Sequence, residues 1–306
     1  MNDAEVASYR KAAEDGNADA QASLGCMYIC GKGVPKDFVE AAKWYRKAAE
    51  QGLADAQFFL AAMYIQGDGV PKDSSEAAKW MRKAAEQGNA EAQGRLGTMY
   101  VKGCGVPKDD VEAVKWYRKA AEQGHAEAQF SVGLMYYKGV GVDEDAAHAA
   151  IWYHRAAEQG NTEAQASLGW MYVNGNGVPK NPAESAKWYL LAAEQGNAEA
   201  QYKLGLMHFD GDGVNVNFSE AASWYRKAAQ QGHALAQFAL GVMYFTGHGV
   251  PKDPIEAYKW CSLAASKGNR NAKEACSLLE DQMAQTQLAE ARRRSSEFQV
   301  SPRSQS

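Results

Sequence analysis

Cysteine and histidine are the residues of this sequence whose spacing could most readily indicate chemistry. Cys26 and Cys30 lie four residues apart, which would place two thiols one helical turn apart, where they could bind a metal ion or form a redox pair. No further cluster of cysteine or histidine completes such a site, so we interpret both as isolated small residues. The six histidines are scattered: His125, His148, His154, His208, His233 and His248. We therefore predict no catalytic residue, no metal site and no cofactor.

Glycine-rich loops are a second possible source of chemistry. The segment GKGVPKD at 31–37 places glycines ahead of a predicted helix start, an arrangement that can bind phosphate. Related segments recur along the chain, however, and neither the dinucleotide pattern G-x-G-x-x-G nor the P-loop pattern G-x-x-x-x-G-K-[ST] occurs. The loop is therefore interpreted as a repeated turn with an apolar residue, Val34, that we expect to be buried.

A repeat of 36 residues positions all of these groups. Glutamine, methionine and many small residues recur at this step. Tryptophan keeps it seven times, and only Trp170 lies outside the series, which is Trp44, Trp80, Trp116, Trp152, Trp188, Trp224 and Trp260.

Each repeat is predicted to form two helices. Leu24 and Met27 lie on one helical stripe of the first half, and Trp44 lies on the apolar stripe of the second. Asp37 is a typical helix N-cap and Gly52 a typical helix end. A helix of about 13 residues is roughly 20 Å long and cannot bury its apolar face alone. Neighbouring repeats must supply the rest of the core.

The predicted fold class is all-α: a right-handed superhelical α/α solenoid of 36-residue helix-turn-helix repeats. Its atypical ends fit a capped array. The predicted parts are an N-terminal capping helix at 4–16, seven repeats at 17–268, a C-terminal capping helix at 269–294 and a disordered tail at 295–306.

Composition and charge exclude several classes of function. The formal charge of −4 over 306 residues offers no strongly basic surface, so nucleic acid is not the expected partner. No stretch reaches the roughly 18 apolar residues of a membrane span, and the N-terminal residues lack the pattern of a signal peptide. Five cysteines without a repeated spacing argue against a disulfide framework. We therefore expect a cytoplasmic protein.

The motif A-x-A-Q-x-x-L-G-x-M-Y-x-x-G-x-G-V-x-x-D, followed by A-x-x-W-Y-x-x-A-A-x-x-G, resembles the Sel-1-like repeat, a relative of the tetratricopeptide repeat. The resemblance covers about residues 5 to 280 in seven near-complete copies. It implies a solenoid that acts as an adaptor for protein complexes, in bacteria often linked to signalling, envelope or host contact. One cysteine-rich branch with a disulfide in every unit has been linked to β-lactam binding, but this chain lacks that cysteine pattern.

Four positions of the first helix vary among the repeats: those of Asp19, Ser23, Cys26 and Cys30. Their spacing of four, three and four residues places them on one helix face, which we call the variable face. We predict that the variable face lines the concave side of the superhelix and binds a partner. The predicted binding residues are Phe59, Arg95, Lys102, Leu134, Lys138, Trp170, Lys203, Leu206 and Asp210.

Trp170 is the foremost of these candidates, because aromatic side chains often anchor interfaces. The alternative interpretation is that large residues at this position only fill a seam between helices. The function predicted from the sequence is a non-enzymatic scaffold for a protein or peptide partner, with a cysteine-rich-repeat-like, β-lactam-binding hydrolase as the alternative.

Overall fold

The computed structural model describes residues 3–300, with side chains from 6 to 298. Within this range every regular element is a helix, and no strand occurs. The helices are α1 Asp3–Glu14, α2 Ala18–Cys30, α3 Phe38–Glu50, α4 Ala54–Gln66, α5 Ser74–Glu86, α6 Ala90–Lys102, α7 Asp110–Glu122, α8 Ala126–Lys138, α9 Ala146–Glu158, α10 Thr162–Asn174, α11 Pro182–Glu194, α12 Ala198–Asp210, α13 Phe218–Gln230, α14 Ala234–Thr246, α15 Pro254–Ser266, α16 Arg270–Gln282 and α17 Gln285–Val300.

The predicted all-α solenoid is confirmed: α2 to α15 form seven pairs, in which an even-numbered first helix packs against the odd-numbered second helix that follows it. The described residues form two compact units, divided between Ala156 and Ala157. In each unit the core consists of the recurring alanine, leucine and methionine positions of the first helices and the alanine and aromatic positions of the second. No helix in residues 3–300 has the length and apolar character needed to cross a membrane.

A recurrent glycine lets the two helices of a repeat approach closely. A Cβ on Gly97 would lie 2.8 Å from the ring of Tyr117, closer than real Cβ contacts. The second repeat has Ala61 and Met81 at the same two positions. A flexible methionine therefore accompanies the alanine, whereas a rigid tyrosine ring requires the glycine.

The recurrent glutamine links consecutive helices through hydrogen bonds of its side chain. Gln57 is buried and donates from Nε2 to the Ala49 carbonyl at 3.0 Å, while its Oε1 accepts from Gln87 at 2.8 Å. In the last repeat, Lys267 stands where Gln87 stands in the second, and the buried Oε1 of Gln237 has no partner. The Nε2 and Oε1 atoms of the buried glutamine therefore both have a hydrogen-bond partner only where the second glutamine is present.

In four of the seven repeats an arginine–tyrosine hydrogen bond links the second helix to the next first helix. Arg226 donates from Nη2 to the Tyr244 hydroxyl at 3.0 Å. In the fifth repeat Leu190 replaces the arginine, and His208 replaces the tyrosine that would accept from it. His208 Nδ1 is buried without a partner, so the two replacements belong to one lost contact. The other repeats with this bond have Arg46–Tyr64, Arg82–Tyr100 and Arg118–Tyr136, and Arg10 of α1 donates to Tyr28 of α2 in the same way at 3.5 Å.

The loops between the two helices of a repeat differ slightly from the expectation of a buried valine. Val34 is 7% exposed, but its counterparts from Val70 to Val250 are half-buried. The second glycine of the loop is needed for its backbone conformation and for a close approach to the preceding repeat. Gly105 has φ 74°, and a Cβ there would collide with the Ser74 carbonyl of the preceding repeat. Glycine is required here because the loop closes against that helix start.

The C-terminal end differs from the sequence expectation of one capping helix at 269–294 and a disordered tail from 295. Two helices, α16 and α17, follow the last repeat, and α17 continues to Val300. Phe298 packs edge-on against Trp260 at 5.3 Å between ring centroids. This contact of the half-buried Phe298 packs the end of α17 against the last repeat, while 301–306 lie outside the described residues. At the other end, the helix expected at 4–16 spans Asp3–Glu14.

Candidate functional site

The nine predicted binding residues lie on the first helices, and none is part of the buried core. Phe59, Arg95, Lys102, Lys138, Trp170 and Asp210 are exposed, whereas Leu134, Lys203 and Leu206 are half-buried. The variable face thus has large side chains at positions where the packing between the two helices does not require them.

Four of the nine residues meet in one cavity, which we call the fifth-repeat groove. Its volume is about 280 Å³. Trp170 of α10 faces Lys203, Leu206 and Asp210 of α12 across this groove, and Tyr189 of α11 lies in its wall. Trp170 remains 38% exposed. The groove therefore combines aromatic and aliphatic side chains with one cationic group, Lys203, and two carboxylates, Asp210 and Asp212.

A second cavity, the third-repeat groove, has a volume of about 350 Å³. It includes the predicted residues Arg95 and Lys102 of α6, together with Tyr117 of α7 and Ser131 of α8. Arg95 forms an ion pair with Glu91 at 2.9 Å, and its guanidinium lies 5.5 Å from the ring centroid of Phe58. Cationic groups stacked on aromatic rings are common at interfaces.

The structure does not bring the remaining three predicted residues into either groove. Phe59 stacks on Tyr45 with 5.3 Å between ring centroids, so part of its surface is already used within the repeats. Leu134 and Lys138 line neither cavity. The variable face is therefore divided into local sites and is not uniform along the chain.

A fifth variable position was missed by the sequence analysis, and it decides the shape of the third-repeat groove. This position directly follows the recurrent glutamine and holds Ala22, Phe58, Gly94, Phe130, Ala166, Tyr202 and Phe238. Its side chain points toward the second helix: Phe130 lies 5.5 Å from Tyr153, and Tyr202 lies 5.9 Å from Tyr225. The signal was present in the sequence, as an aromatic residue in four repeats and alanine or glycine in three, beside an unchanging glutamine.

His125 has a structural role that explains its place in the turn. Its Nδ1 accepts a hydrogen bond from the backbone N–H of Ala128 at 3.2 Å, so the ring caps α8. Its Nε2 lies 2.9 Å from a carboxylate oxygen of Glu91, one repeat earlier. This hydrogen bond from His125 is the largest cause of a lowered pKa of Glu91. Asn89 makes the equivalent contact with Asp55 at 2.9 Å.

The five cysteines are free and occupy unrelated positions of the repeat. Cys26 and Cys30 are exposed on α2, and desolvation is the largest cause of a raised pKa of the Cys26 thiol. Burial raises the pKa of Cys261 to about 12 and that of Cys276 to about 11. For Cys26, Cys261 and Cys276 the environment thus favours the thiol over the nucleophilic thiolate.

Comparison with known proteins agrees with this architecture. The Sel1 repeat model matches seven consecutive segments: 18–53, 54–89, 90–125, 126–161, 162–197, 198–233 and 234–269. A Sel1 repeat protein from Oxalobacter formigenes is similar in structure, with 40% sequence identity, a TM-score of 0.72, and coverage of 90% of this chain and 79% of that chain. The comparison with curated proteins gave no match.

A second similar structure is a protective antigen present in uropathogenic Escherichia coli strains, which displays the SLR fold. It shares 33% identity, with a TM-score of 0.50 and coverage of 96% of this chain and 78% of that chain. The seven matched segments include every helix pair of the solenoid. This chain belongs to the Sel1 repeat family.

Proposed function

We propose that this chain is a non-enzymatic scaffold that holds a protein or peptide partner against the variable face of its first helices. Sel1 repeat solenoids are typically protein-interaction modules. The observation that carries the proposal is the fifth-repeat groove, where Trp170, Lys203, Leu206 and Asp210 line one cavity although 40 residues separate the first from the last.

The chemistry of the fifth-repeat groove suits recognition of a polypeptide. Trp170 and Leu206 offer apolar surface, while Lys203 and Asp210 offer a hydrogen-bond donor and an acceptor of opposite charge. A partly exposed tryptophan within a ring of polar groups is a typical interface anchor. The proposed mechanism is surface complementarity, with no bond made or broken.

We place this interaction in the cytoplasm, where free thiols remain reduced. Cys26, Cys30 and Cys104 are exposed as well as free, which supports that environment. The alternative of a cysteine-rich, β-lactam-binding hydrolase is not favoured, because no two cysteines occupy equivalent positions in the repeats.

The test is affinity capture of a partner with matched variants. Wild type, Trp170→Ala and a Trp170→Ala/Arg95→Ala double variant are compared for the protein species that they retain. Leu191→Ala is the control, because Leu191 is 43% exposed on the second helix of the same repeat. The proposal predicts at least about tenfold weaker retention by the Trp170 variants, as for an interface anchor, with the control unchanged. Equal loss in the Leu191 control, or no loss in the double variant, would contradict it.

A further inference from the structure

In the sixth repeat an aromatic side chain, Tyr202, occupies the fifth variable position and packs against two other rings. The ring of Tyr202 stacks on His233 with 4.8 Å between centroids and 26° between planes, and lies 5.9 Å from Tyr225. His233 caps its helix through Nδ1 and contacts Glu199 through Nε2 at 2.9 Å. Tyr202 therefore lies between an imidazole and a phenol that the scaffold holds in place.

The third repeat has the equivalent imidazole and phenol rings but no aromatic ring between them. His125 and Tyr117 occupy the positions of His233 and Tyr225, and His125 makes the same two hydrogen bonds. The position of Tyr202 is taken by Gly94. All three residues, Gly94, Tyr117 and His125, line the third-repeat groove.

Gly94 is buried, but a Cβ atom built on it would meet no clash. A Cβ built on Gly94 would lie 3.7 Å from the nearest atom of His125, which is an ordinary van der Waals contact. The helical glycine is therefore not required by a close approach, unlike Gly97 of the same helix, whose Cβ would lie 2.8 Å from Tyr117. The volume of about 350 Å³ falls within the range of roughly 300–1,000 Å³ found for small-molecule pockets.

The rim of the groove supplies polar groups to a ring that enters it. Thr98 Oγ1 and the Tyr117 hydroxyl lie 2.9 Å apart, and Ser131 lines the same cavity. Arg95 and Lys102 extend from the same helix as Gly94. A planar aromatic group with backbone amides around it would match both the ring walls and these polar atoms.

We infer that the third-repeat groove is a docking site for an aromatic side chain of the partner, which inserts between His125 and Tyr117 as Tyr202 does between its neighbours in the sixth repeat. This inference rests on the proposed scaffold function and assigns it a chemical preference: a partner segment with an exposed tyrosine or phenylalanine. An aromatic occupant follows from the chain itself, which places Phe58, Phe130, Tyr202 and Phe238 at the equivalent position in four other repeats.

The direct test uses N-acetyl-tyrosinamide as the probe and the full chain labelled with ¹³C in its histidine rings. Addition of the probe should shift the His125 ring signal saturably, because an aromatic ring stacked on imidazole changes its magnetic environment. N-acetyl-leucinamide, which has no ring, should leave that signal in place. Absence of a saturable His125 shift with the tyrosine probe would overturn the inference.

Substitutions then locate the site. Gly94→Phe places in the third repeat the residue found in the second, fourth and seventh, and should weaken the probe's effect at least about tenfold. Ala166→Phe makes the equivalent change in the fifth repeat and should leave the His125 response unchanged. Persistence of the full response in a folded Gly94→Phe variant would place the probe elsewhere and contradict the inference.

If Gly94→Phe fails to fold, a variant that creates a second binding site for the tyrosine probe tests the same inference. Tyr202→Gly removes the resident ring of the sixth repeat, and the tyrosine probe should then shift His233 as it shifts His125. A probe that shifts neither histidine in these proteins disproves the docking site. The scaffold proposal is judged separately, since loss of partner capture by Trp170→Ala does not depend on the third-repeat groove.

Discussion

The buried seam between the two helices of each repeat and the variable face use neighbouring positions of the same first helix in opposite ways. In α6, Leu96, Gly97 and Met99 are buried against the second helix. Arg95 and Lys102, on the variable face, remain exposed. What recurs from repeat to repeat is what close packing requires, and what differs is free to serve a partner. Four predictions test this division, from the largest expected effect to the smallest.

Removal of a recurrent tryptophan should show how much the repeated packing contributes to the free energy of unfolding. Trp116 is 6% exposed, and Lys119 lies over its ring at 3.9 Å. Trp116→Ala should lower the free energy of unfolding by about 3–5 kcal/mol, because it leaves a cavity among buried side chains. Denaturant unfolding followed by circular dichroism measures the change. A loss below about 1 kcal/mol would show that the recurrent tryptophan is not a packing residue.

A methyl group added at the recurrent glycine should also be costly, and a compensating change should relieve it. Gly97→Ala should destabilise by about 1–3 kcal/mol, because its Cβ would press on the Tyr117 ring. The double variant with Tyr117→Met reproduces the alanine–methionine pair of the second repeat and should recover most of that loss. A double-mutant cycle from chemical denaturation gives the coupling. Purely additive losses would argue against ring contact as the reason for the glycine.

Trp170 should behave oppositely to Trp116 although both are tryptophans. Trp170→Ala should change the free energy of unfolding by less than about 1 kcal/mol, because the side chain is 38% exposed. The same denaturation experiment measures it beside Trp116→Ala. A loss of 3 kcal/mol or more would support the alternative that this residue fills a seam between helices.

The smallest expected effect concerns pH and the contact between repeats at Glu91. Its pKa is lowered, first by the hydrogen bond from His125, so this group stabilises the fold above the ordinary carboxyl pKa, and the contribution disappears as pH falls through the lowered value. Since the side chain is 45% exposed, solvent screening keeps the effect to a few tenths of a kcal/mol.

Thermal melts of Glu91→Gln and wild type should therefore differ slightly at pH 7, and the difference should shrink as pH falls below the ordinary carboxyl pKa. His125→Asn is the control, because asparagine caps the corresponding helix in other repeats and should retain the cap. A difference between wild type and Glu91→Gln that stays the same from pH 7 to pH 3 would exclude the ion contact as its cause.

Local patterns in the sequence were sufficient for much of the fold. Seven tryptophans at a step of 36, cap residues such as Asp37 and helix-ending glycines such as Gly52 predicted the helix pairs, because helix boundaries depend on nearby residues. The order of residues 295–300 was not predicted. This segment contacts distant residues, since Phe298 packs on Trp260, which lies 38 positions earlier, and Ser295 hydrogen-bonds Ser262.

The sequence by itself determined the repeat, its helices and the positions left free to vary, since all of these follow from periodicity along one chain. Only the tertiary structure decided which free positions share a cavity. The third-repeat groove depends on Gly94, Tyr117 and His125. These residues come together only after two helices and a turn have packed. The physical reason is that a cavity is a property of neighbours in space, and those neighbours here are 8 to 31 residues apart in sequence.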